Sequence, residues 1–331
     1  MVVNPPKPGV SERSKIDSFI VMDLMRDAAA KQRELEASGS NQRVLHLEVG
    51  QPSTGAPSHV KQAASHALQG DKLGYTEAFG IRPLRERIAR HYKDQYSVEI
   101  TLDDVAITTG SSGAFVVVFT AAFDPGDRVA MAAPGYPCYR NILGSLGVDV
   151  VQMPVSSASN WQPTVEMLEE LVKDGKPLKG LIIASPSNPT GTILSPAELK
   201  GICDFCARNG VRLISDEIYH GITIEGDTAC ALTYNPDAIV INSFSKYFSM
   251  TGWRLGWVVC KDLALKKALE ALLQNLFISA PTLSQQAGGR ACKRAHGHAR
   301  THARTHARTH ARTRAHTHTC MHAYRYGSLR E

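Results

Sequence analysis

The chain has 331 residues, of which 43% are hydrophobic and 21% charged. This composition is typical of one large or two ordinary globular domains and excludes a disordered, collagen-like or disulfide-scaffold chain. The formal net charge is +6, but ten of the 37 Lys and Arg residues and only one of the 31 acidic residues lie from Arg290 to Glu331, which leaves a net charge of −3 on the preceding residues. No nucleic-acid partner is therefore predicted for the body of the chain.

The sequence predicts neither a membrane segment nor a secretory signal. No stretch approaches the roughly 18 consecutive apolar residues of a transmembrane helix, and residues 1–17 contain no apolar core behind a charged start. The seven cysteines show no disulfide framework, which favours a reducing, cytoplasmic location. Cys203 and Cys206 form a C-x-x-C pair, but the surrounding pattern predicts an amphipathic helix with buried thiols, and no metal site is predicted.

In chain order, residues 1–45 are predicted to form an arm and a helix from Ser18 to about Ser38. Seven short β-branched runs follow, with helical patterns between several of them. The runs are VAITTG (105–110), RVAMAAP (128–134), DVVQMPV (149–155), GLIIASP (180–186), VRLISDE (211–217), AIVINSF (238–244) and LGWVVC (255–260). Continuous apolar strands that alternate with helices indicate an α/β fold with a parallel sheet covered on both faces.

Polar and aromatic residues follow five of these runs. They are Gly110-Ser111-Ser112-Gly113, Pro134-Gly135-Tyr136-Pro137, Pro186-Ser187-Asn188-Pro189-Thr190-Gly191, the group Asp216, Glu217 and Tyr219, and the group Ser243, Ser245 and Lys246. Ligands bind at the carboxyl ends of the strands in such sheets. These residues are therefore predicted to converge on one site.

The residue types at these strand ends suit a cofactor that carries a phosphate. The turn with Ser111 and Ser112 either caps a helix or offers N–H and hydroxyl groups to a phosphate, and Arg254 suits the same group. Lys246 is either a solvent-facing lysine or a Schiff-base nucleophile, and Asp216 is either a helix cap or the partner of a buried cation. Pyridoxal 5′-phosphate (PLP) has a phosphate, an aldehyde, a ring nitrogen and a flat face, which these groups and an aromatic side chain would bind.

Seven segments make the resemblance to a known family specific. They are LEVGQPSTGAP, GYTEAFGIRPLRERIARHY, ITTGSSGAF, APGYPCY, ASPSNPTGT, ISDEIYHG and NSFSKYFSMTGWRLGW. With these segments in family order, the chain resembles the fold-type I PLP enzymes, specifically the class I/II aminotransferases, from about Ile16 to about Ala287. The resemblance implies a three-layer α/β/α domain with a mostly parallel sheet over residues 46–288, which binds PLP. It also implies a homodimer, and residues 1–45 as part of an incomplete small domain.

The resemblance implies catalytic roles for three residues. Lys246 would bind the cofactor aldehyde covalently and then carry a proton between the substrate and the cofactor. Asp216 would pair with the ring nitrogen and keep it protonated. Tyr219, together with Asn188, would hydrogen-bond the phenolic oxygen of the cofactor.

The remaining site residues follow from the same resemblance. Tyr136 would stack on the cofactor ring, and Gly50 would lie by the substrate carboxylate, near Asn188. The residues implied around the phosphate are Ser111, Ser112, Ser243, Ser245, Arg254 and, from the neighbouring subunit, Tyr75.

The chain departs from the family in residues 289–331. There THAR repeats with almost no apolar residue, so the segment cannot form a core and is predicted to be disordered. We interpret it as translated simple-repeat DNA, because codons for Thr, His, Ala and Arg can form an alternating purine–pyrimidine stretch. The alternative is a basic tail that binds nucleic acid or a metal. In the family, the small domain that follows supplies the arginine for the substrate carboxylate, so its loss is expected to impair activity.

Three functions remain open from the sequence. The first is a transaminase that exchanges an amino group between an amino acid (aspartate, alanine or similar) and a 2-oxo acid in a ping-pong cycle. The second is a lyase or synthase on the same fold. The third is a non-catalytic remnant with a basic tail that binds nucleic acid. The choice of amino donor is not readable from the sequence.

Overall fold

Helices and a single sheet account for most of residues 9–70, 73–173, 175–226 and 228–291, which a computed structural model describes. The longer helices are α1 (Ile20–Ala37), α2 (Ser58–Gly70), α3 (Arg82–Tyr96), α4 (Gly110–Ala122), α5 (Pro137–Ser145), α6 (Val165–Val172), α7 (Pro196–Asn209), α8 (Leu263–Leu276) and α9 (Thr282–Ala291). The strands are β1 (Val105–Thr108), β2 (Arg128–Ala133), β3 (Asp149–Pro154), β4 (Gly180–Ala184), β5 (Arg212–Asp216), β6 (Ile239–Ser243) and β7 (Gly256–Val259). All seven predicted strands are confirmed, as is the N-terminal helix. The tail was predicted to be disordered from residue 289, but residues 289–291 continue helix α9, in which Ala291 is buried. From position 292 onward the predicted tail lies outside the described residues.

The strand order of the sheet is β1-β7-β6-β5-β4-β2-β3. Strands β2 to β6 pair in parallel, whereas β7 runs antiparallel to both β6 and β1. Ala184, the last residue of β4, lies opposite Asp216, the last residue of β5. Ser243, the last residue of β6, lies opposite Gly256, the first residue of β7. One edge of the sheet therefore collects the carboxyl ends of the parallel strands and the start of β7.

Helices cover both faces of the sheet, because successive strand residues point into two different cores. In β4, Ile183 belongs to the core that contains residues of α3 and α7, whereas its neighbour Ile182 belongs to the core that contains residues of α4, α5 and α8. In β6, Val240 belongs to the first core and Ile239 and Ile241 to the second. Burial of each such side chain is worth about 1.5–3 kcal/mol. This arrangement is the predicted three-layer α/β/α architecture with a mostly parallel sheet.

Helix α7 shows how local sequence sets an element's limits. The Ser195 side chain accepts from the N–H of Glu198 and the Glu198 carboxylate accepts from the N–H of Ser195, a capping box that starts the helix. Gly210, at φ +63°, ends it in the left-handed conformation that favours glycine. Cys203 and Cys206 are buried on its inner face, as predicted, and burial raises the pKa of each thiol to about 12.

Helix α1 differs from the others because none of its residues is buried. Its large apolar side chains Ile20, Met22 and Leu24 are 65%, 59% and 49% exposed. Within the described ranges, no helix is both long and apolar enough to cross a membrane. The same ranges hold no group of three or more His, Cys, Asp or Glu side chains placed to bind a metal ion.

Candidate active site

The start of α4 and the segment before β7 form one side of the site. Gly110 opens α4 at φ +74°, and a Cβ added there would lie 2.5 Å from Nη2 of Arg254. A Cβ at Gly256 would lie 3.0 Å from the backbone N of Ser111. The two glycines thus let the Arg254 guanidinium and the first N–H groups of α4, including those of Ser111 and Ser112, share one small region. Free N–H groups and a positive charge at a helix start suit a phosphate.

The two predicted serines after β6 differ in what their hydroxyls contact. Ser243 is fully buried, and its Oγ lies 3.0 Å from the Leu255 carbonyl and 2.9 Å from the Ser245 Oγ. The N–H of Ser245 also donates to the Ser243 Oγ at 3.1 Å. Ser243 therefore orients Ser245 and ties the end of β6 to the segment that carries Arg254.

Asp216 is a buried carboxylate held by two donors. It is 4% exposed at the end of β5. The Tyr139 hydroxyl donates to its Oδ2, and the N–H of Ile218 donates to its Oδ1 at 3.1 Å. Burial raises its pKa to about 6, although both hydrogen bonds oppose that rise. Burial disfavours the ionised form of this carboxyl, so a cation beside it, such as a protonated ring nitrogen, would be bound favourably.

Lys246 lies between Asp216, Tyr219 and the Gly50 turn. Its Nζ donates to the Gly50 carbonyl and lies 5.7 Å from the centre of the Tyr219 ring. Burial lowers the pKa of Lys246, whereas the Asp216 charge opposes this shift. A lower pKa increases the neutral fraction of the amine, which is the form that attacks an aldehyde.

Three aromatic and amide residues complete the predicted cofactor surface. Asn188 hydrogen-bonds the Tyr219 hydroxyl, and burial raises the Tyr219 pKa, as does the Asp216 charge. Tyr136 precedes α5 and its ring packs edge-on against Tyr139 at 5.4 Å. Burial raises the pKa of Tyr136 to about 12, so this side chain stays neutral.

Tyr75 stands apart from the other predicted site residues. It is 83% exposed and lies in the segment between α2 and α3. The Gly74 carbonyl beside it accepts from the Thr282 hydroxyl at 2.7 Å, so its backbone is anchored to α9. An anchored backbone with an exposed ring is what a contact to another chain requires.

Sequence reasoning missed two side chains that shape this site. Tyr139 donates to Asp216, and Phe19, just before α1, packs edge-on against Tyr136 at 5.8 Å. The signal for Tyr139 was its position three residues after Tyr136, which places both on one face of a helix. Nothing in the sequence around Phe19 indicates its partner.

The arrangement fits PLP at each part of the cofactor. The α4 start with Arg254 suits the phosphate, Lys246 suits the aldehyde, and Asp216 suits the ring nitrogen. Glycine at position 110 lets the Arg254 guanidinium lie beside the start of α4, because a side chain there would displace it.

Comparisons with known proteins agree with this fit. A family model described as aminotransferase class I and II matches residues 42–324. A valine–pyruvate aminotransferase of Mycobacterium tuberculosis is 47% identical over 280 residues, which are 84% of this chain and 70% of that protein. A (5-formylfuran-3-yl)methyl phosphate transaminase of Methanocaldococcus jannaschii is 38% identical over 281 residues, again 84% of this chain and 70% of that protein.

The fold is also similar to that of a known aminotransferase. The crystal structure of an aminotransferase from Mycobacterium tuberculosis matches with a TM-score of 0.82 at 44% identity, covering 91% of this chain and 77% of that chain. The chain belongs to the class I and II aminotransferases, a family of PLP-dependent enzymes.

Proposed function

We propose that this aminotransferase moves the amino group of a small aliphatic amino acid to pyruvate or a similar 2-oxo acid in a ping-pong cycle. Bound PLP supplies an aldehyde that captures the amino group and a ring that withdraws electrons from the substrate Cα. The single observation that carries the proposal is the placement of Lys246 beside Asp216 and Tyr219 at the carboxyl edge of the sheet. The site residues and their roles remain our proposal.

Lys246 binds the cofactor and then moves the proton. With the cofactor bound, Lys246 would hold its aldehyde carbon through Nζ, and the same amine, once free, would accept the proton from the substrate Cα. Its lowered pKa keeps a larger fraction of the amine unprotonated for this step.

Asp216 holds the proton on the ring nitrogen. A protonated ring nitrogen beside the carboxylate is a buried ion pair, which removes the cost that burial imposes on the lone carboxylate. The Tyr139 hydrogen bond fixes the orientation of the carboxylate toward the ring.

Asn188 and Tyr219 would bind the phenolic oxygen, and Tyr136 would pack on the ring. The start of α4, the Ser245 hydroxyl and Arg254 would hold the phosphate, and Ser243 orients Ser245 by its hydrogen bond. The Lys246 Nζ donates to the Gly50 carbonyl, which supports our proposal that this turn lies by the substrate carboxylate.

A groove beside Asn188 and Tyr219 supports an aliphatic substrate. It is open to solvent, has a volume of about 720 Å³, and its lining combines Ile193, Ile222 and Ile224 with polar residues that include Thr192 and Glu225. None of the described residues that line it is Lys or Arg. A groove with a carboxylate and no cation disfavours the second carboxylate of aspartate, and its isoleucines can contact an aliphatic side chain. The relative at 47% identity is named for valine and pyruvate.

We also propose that the protein acts as a homodimer in which Tyr75 reaches the phosphate of the neighbouring subunit. Its 83% exposure supports this. The relatives reported above are all named as aminotransferases or transaminases, which favours transamination over the lyase or synthase alternative. The cytoplasmic location and the incomplete small domain stay predictions.

A donor and acceptor panel tests the proposal. The purified full-length chain is loaded with PLP, and loss of the visible cofactor absorption is followed after adding valine, alanine or aspartate. Pyruvate or 2-oxoglutarate is then added to restore the absorption. We expect valine and alanine with pyruvate to react at least about 10-fold faster than aspartate, a typical discrimination for an apolar pocket. A faster reaction of aspartate with 2-oxoglutarate would contradict the substrate class.

A further inference from the structure

A second polar cluster lies directly behind the cofactor-facing residues of β5. Glu217 follows Asp216 in the chain, and His220 follows Tyr219. Glu217 is 1% exposed and His220 is 6% exposed. The roles assigned above use neither of these residues. We define the rear cluster as Glu217, His220 and Tyr96.

The His220 ring links three elements of the fold. Its Nε2 lies 3.0 Å from the Ser185 carbonyl, just after β4, and its Nδ1 lies 2.8 Å from the hydroxyl of Tyr96, the last residue of α3. The Nδ1 also lies 3.5 Å from Oε2 of Glu217. A carbonyl only accepts, so Nε2 carries a proton and donates to Ser185. This donor exists in both the neutral Nε2–H ring and the cation, so the contact does not depend on the charge of His220.

Glu217 is itself anchored by backbone and side-chain donors. Its Oε1 accepts from the Ala231 N–H at 2.8 Å and from the Ser215 hydroxyl at 3.3 Å. Its own N–H donates to the Ile241 carbonyl of β6 at 2.9 Å. These bonds hold the Glu217 carboxylate in place beside the His220 ring. The Tyr96 ring packs against the same ring with 5.6 Å between ring centres.

The position of Ser185 makes this contact relevant to the cofactor. Ser185 opens the loop that carries Asn188, three residues further on, whereas His220 belongs to the turn that carries Tyr219. Asn188 and Tyr219 are hydrogen-bonded to each other and face the cofactor side. The bond from His220 to Ser185 ties together, from behind, the two backbone segments whose side chains meet in front.

We propose that His220 is a positioning residue that sets the spacing of Asn188 and Tyr219 through its hydrogen bond to the Ser185 carbonyl. This inference rests on the proposed function, in which both residues donate to the phenolic oxygen of PLP. If the loop and the turn drift apart, those two bonds to the cofactor weaken, while the fold of the sheet persists. The expected loss is that of one hydrogen bond, about 3- to 10-fold in PLP affinity.

Two variants of similar size separate positioning from packing. His220→Gln places an amide N–H near the position of Nε2 and keeps the bond to Ser185. His220→Asn places its polar atoms near the position of Nδ1, satisfies Tyr96 and leaves the Ser185 carbonyl without its donor. A merely structural role would make both variants behave alike, because both replace the ring by a shorter amide.

The experiment uses the full-length chain and measures the PLP dissociation constant and the pH midpoint of the visible absorption of the bound cofactor. We expect H220Q to match the wild type. In H220N, PLP binds about 3- to 10-fold more weakly, and the midpoint moves to higher pH, since the negative phenolic oxygen loses stabilisation and favours the protonated form. Thermal melting of the cofactor-free proteins checks that each variant folds, and His220→Met, which lacks a donor, replaces H220N with the same expectation if H220N does not fold.

The outcomes distinguish a failure of the proposed function from a failure of the positioning role of His220. If the wild type binds no PLP at Lys246, the proposed function fails and the inference with it. If the wild type binds PLP and a folded H220N keeps the same dissociation constant and midpoint, the positioning role alone is wrong. Equal changes in H220Q and H220N would also overturn it, in favour of packing.

Discussion

Strand β5 and helix α1 differ in how much of each is buried in the hydrophobic core. Four of the five residues of β5 are buried, and the strand ends in Asp216 at the centre of the site. None of the 18 residues of α1 is buried. The site therefore depends for its support on the two hydrophobic cores that flank the sheet. The N-terminal segment adds contacts at its rim and contributes little to the stability of the described fold.

The residues just before α1 contact the start of helix α5, next to the site. Phe19 packs against Tyr136, and Asp17 accepts from the Arg140 guanidinium at 3.2 Å. The salt bridge is solvent-exposed on both sides and is worth little. Asn141 Nδ2 also donates to the Asp17 carbonyl at 3.1 Å, so the N-terminal segment reaches the site through helix α5.

The largest effect on activity should come from replacing Lys246, at the carboxyl end of the sheet. Lys246→Ala removes the amine that binds the cofactor and moves the proton, and we expect turnover to fall at least about 10²- to 10⁴-fold. The visible absorption of the lysine-bound cofactor should vanish, while the thermal stability of the cofactor-free protein stays close to that of the wild type. Lys246→Arg, which keeps the charge, serves as the control and should be equally inactive. Persistent absorption in either variant would refute the assignment.

A cavity beneath the site should have the next largest effect. Ile214 is fully buried in the middle of β5, in the core on the side of α4. We expect Ile214→Ala to lower the free energy of unfolding by about 2–5 kcal/mol, from lost burial and the cavity left behind. Chemical denaturation measures the change, and a loss below about 1 kcal/mol would show that β5 is not a main support of the site.

The carboxylate of Asp216 should cost stability when the cofactor is absent. Its pKa rises from 3.8 to about 6 in the folded protein, so between these values the folded state binds a proton that the unfolded state has lost. Stability must then fall as pH rises through this window and stay lower above it. We expect cofactor-free Asp216→Asn to be more stable than the wild type above pH 6, by at most about 3 kcal/mol.

Denaturation of the two cofactor-free proteins from pH 4 to pH 8 measures this difference. The gap should narrow toward pH 4, where the folded carboxyl is protonated and a large fraction of the unfolded carboxyls becomes protonated as well, because pH 4 is close to their pKa of 3.8. Activity of Asp216→Asn should be lost even where its stability is higher, since an amide does not keep the ring nitrogen protonated. A wild type that gains stability relative to the variant between pH 4 and pH 6 would contradict the linkage.

The smallest effect should come from α1. Leu24 is 49% exposed, so Leu24→Ser removes little buried area, and we expect a change in the free energy of unfolding within about 0.5 kcal/mol. The variant is the matched counterpart of Ile214→Ala. A loss of 2 kcal/mol or more would show that α1 is covered in solution by part of the chain or a partner, and the contrast between the two regions would disappear.

Much of the fold was predictable because the strands are continuous apolar runs. Each of the seven runs became a strand within two residues at either end, since a strand buried on both faces needs such a run. The site residues were predictable for a related reason. Asn188 and Lys246 each follow a run closely, Asp216 lies at the end of one, and the carboxyl ends of parallel strands must share one edge of the sheet.

Pairings between distant segments were not predictable. Tyr139 and Asp216 are 77 positions apart, and Tyr96 and His220 are 124 apart. No periodicity in the sequence links such positions, because they meet only after helices have packed on the sheet. The antiparallel course of β7 was likewise not visible, since strand direction depends on the path of the connections and not on the composition of the strand.

The layered α/β architecture, the edge of the sheet at which the site lies and the residue types found there are readable in the sequence, because they follow from burial and chain order. The groups that support the site became visible in the folded chain: Tyr139 on Asp216, Ser243 behind Ser245, and His220 on the Ser185 carbonyl. A hydrogen bond is sensitive to changes of a few tenths of an ångström in the distance between donor and acceptor. Such distances are set by the packing of whole elements and leave no mark in the local sequence.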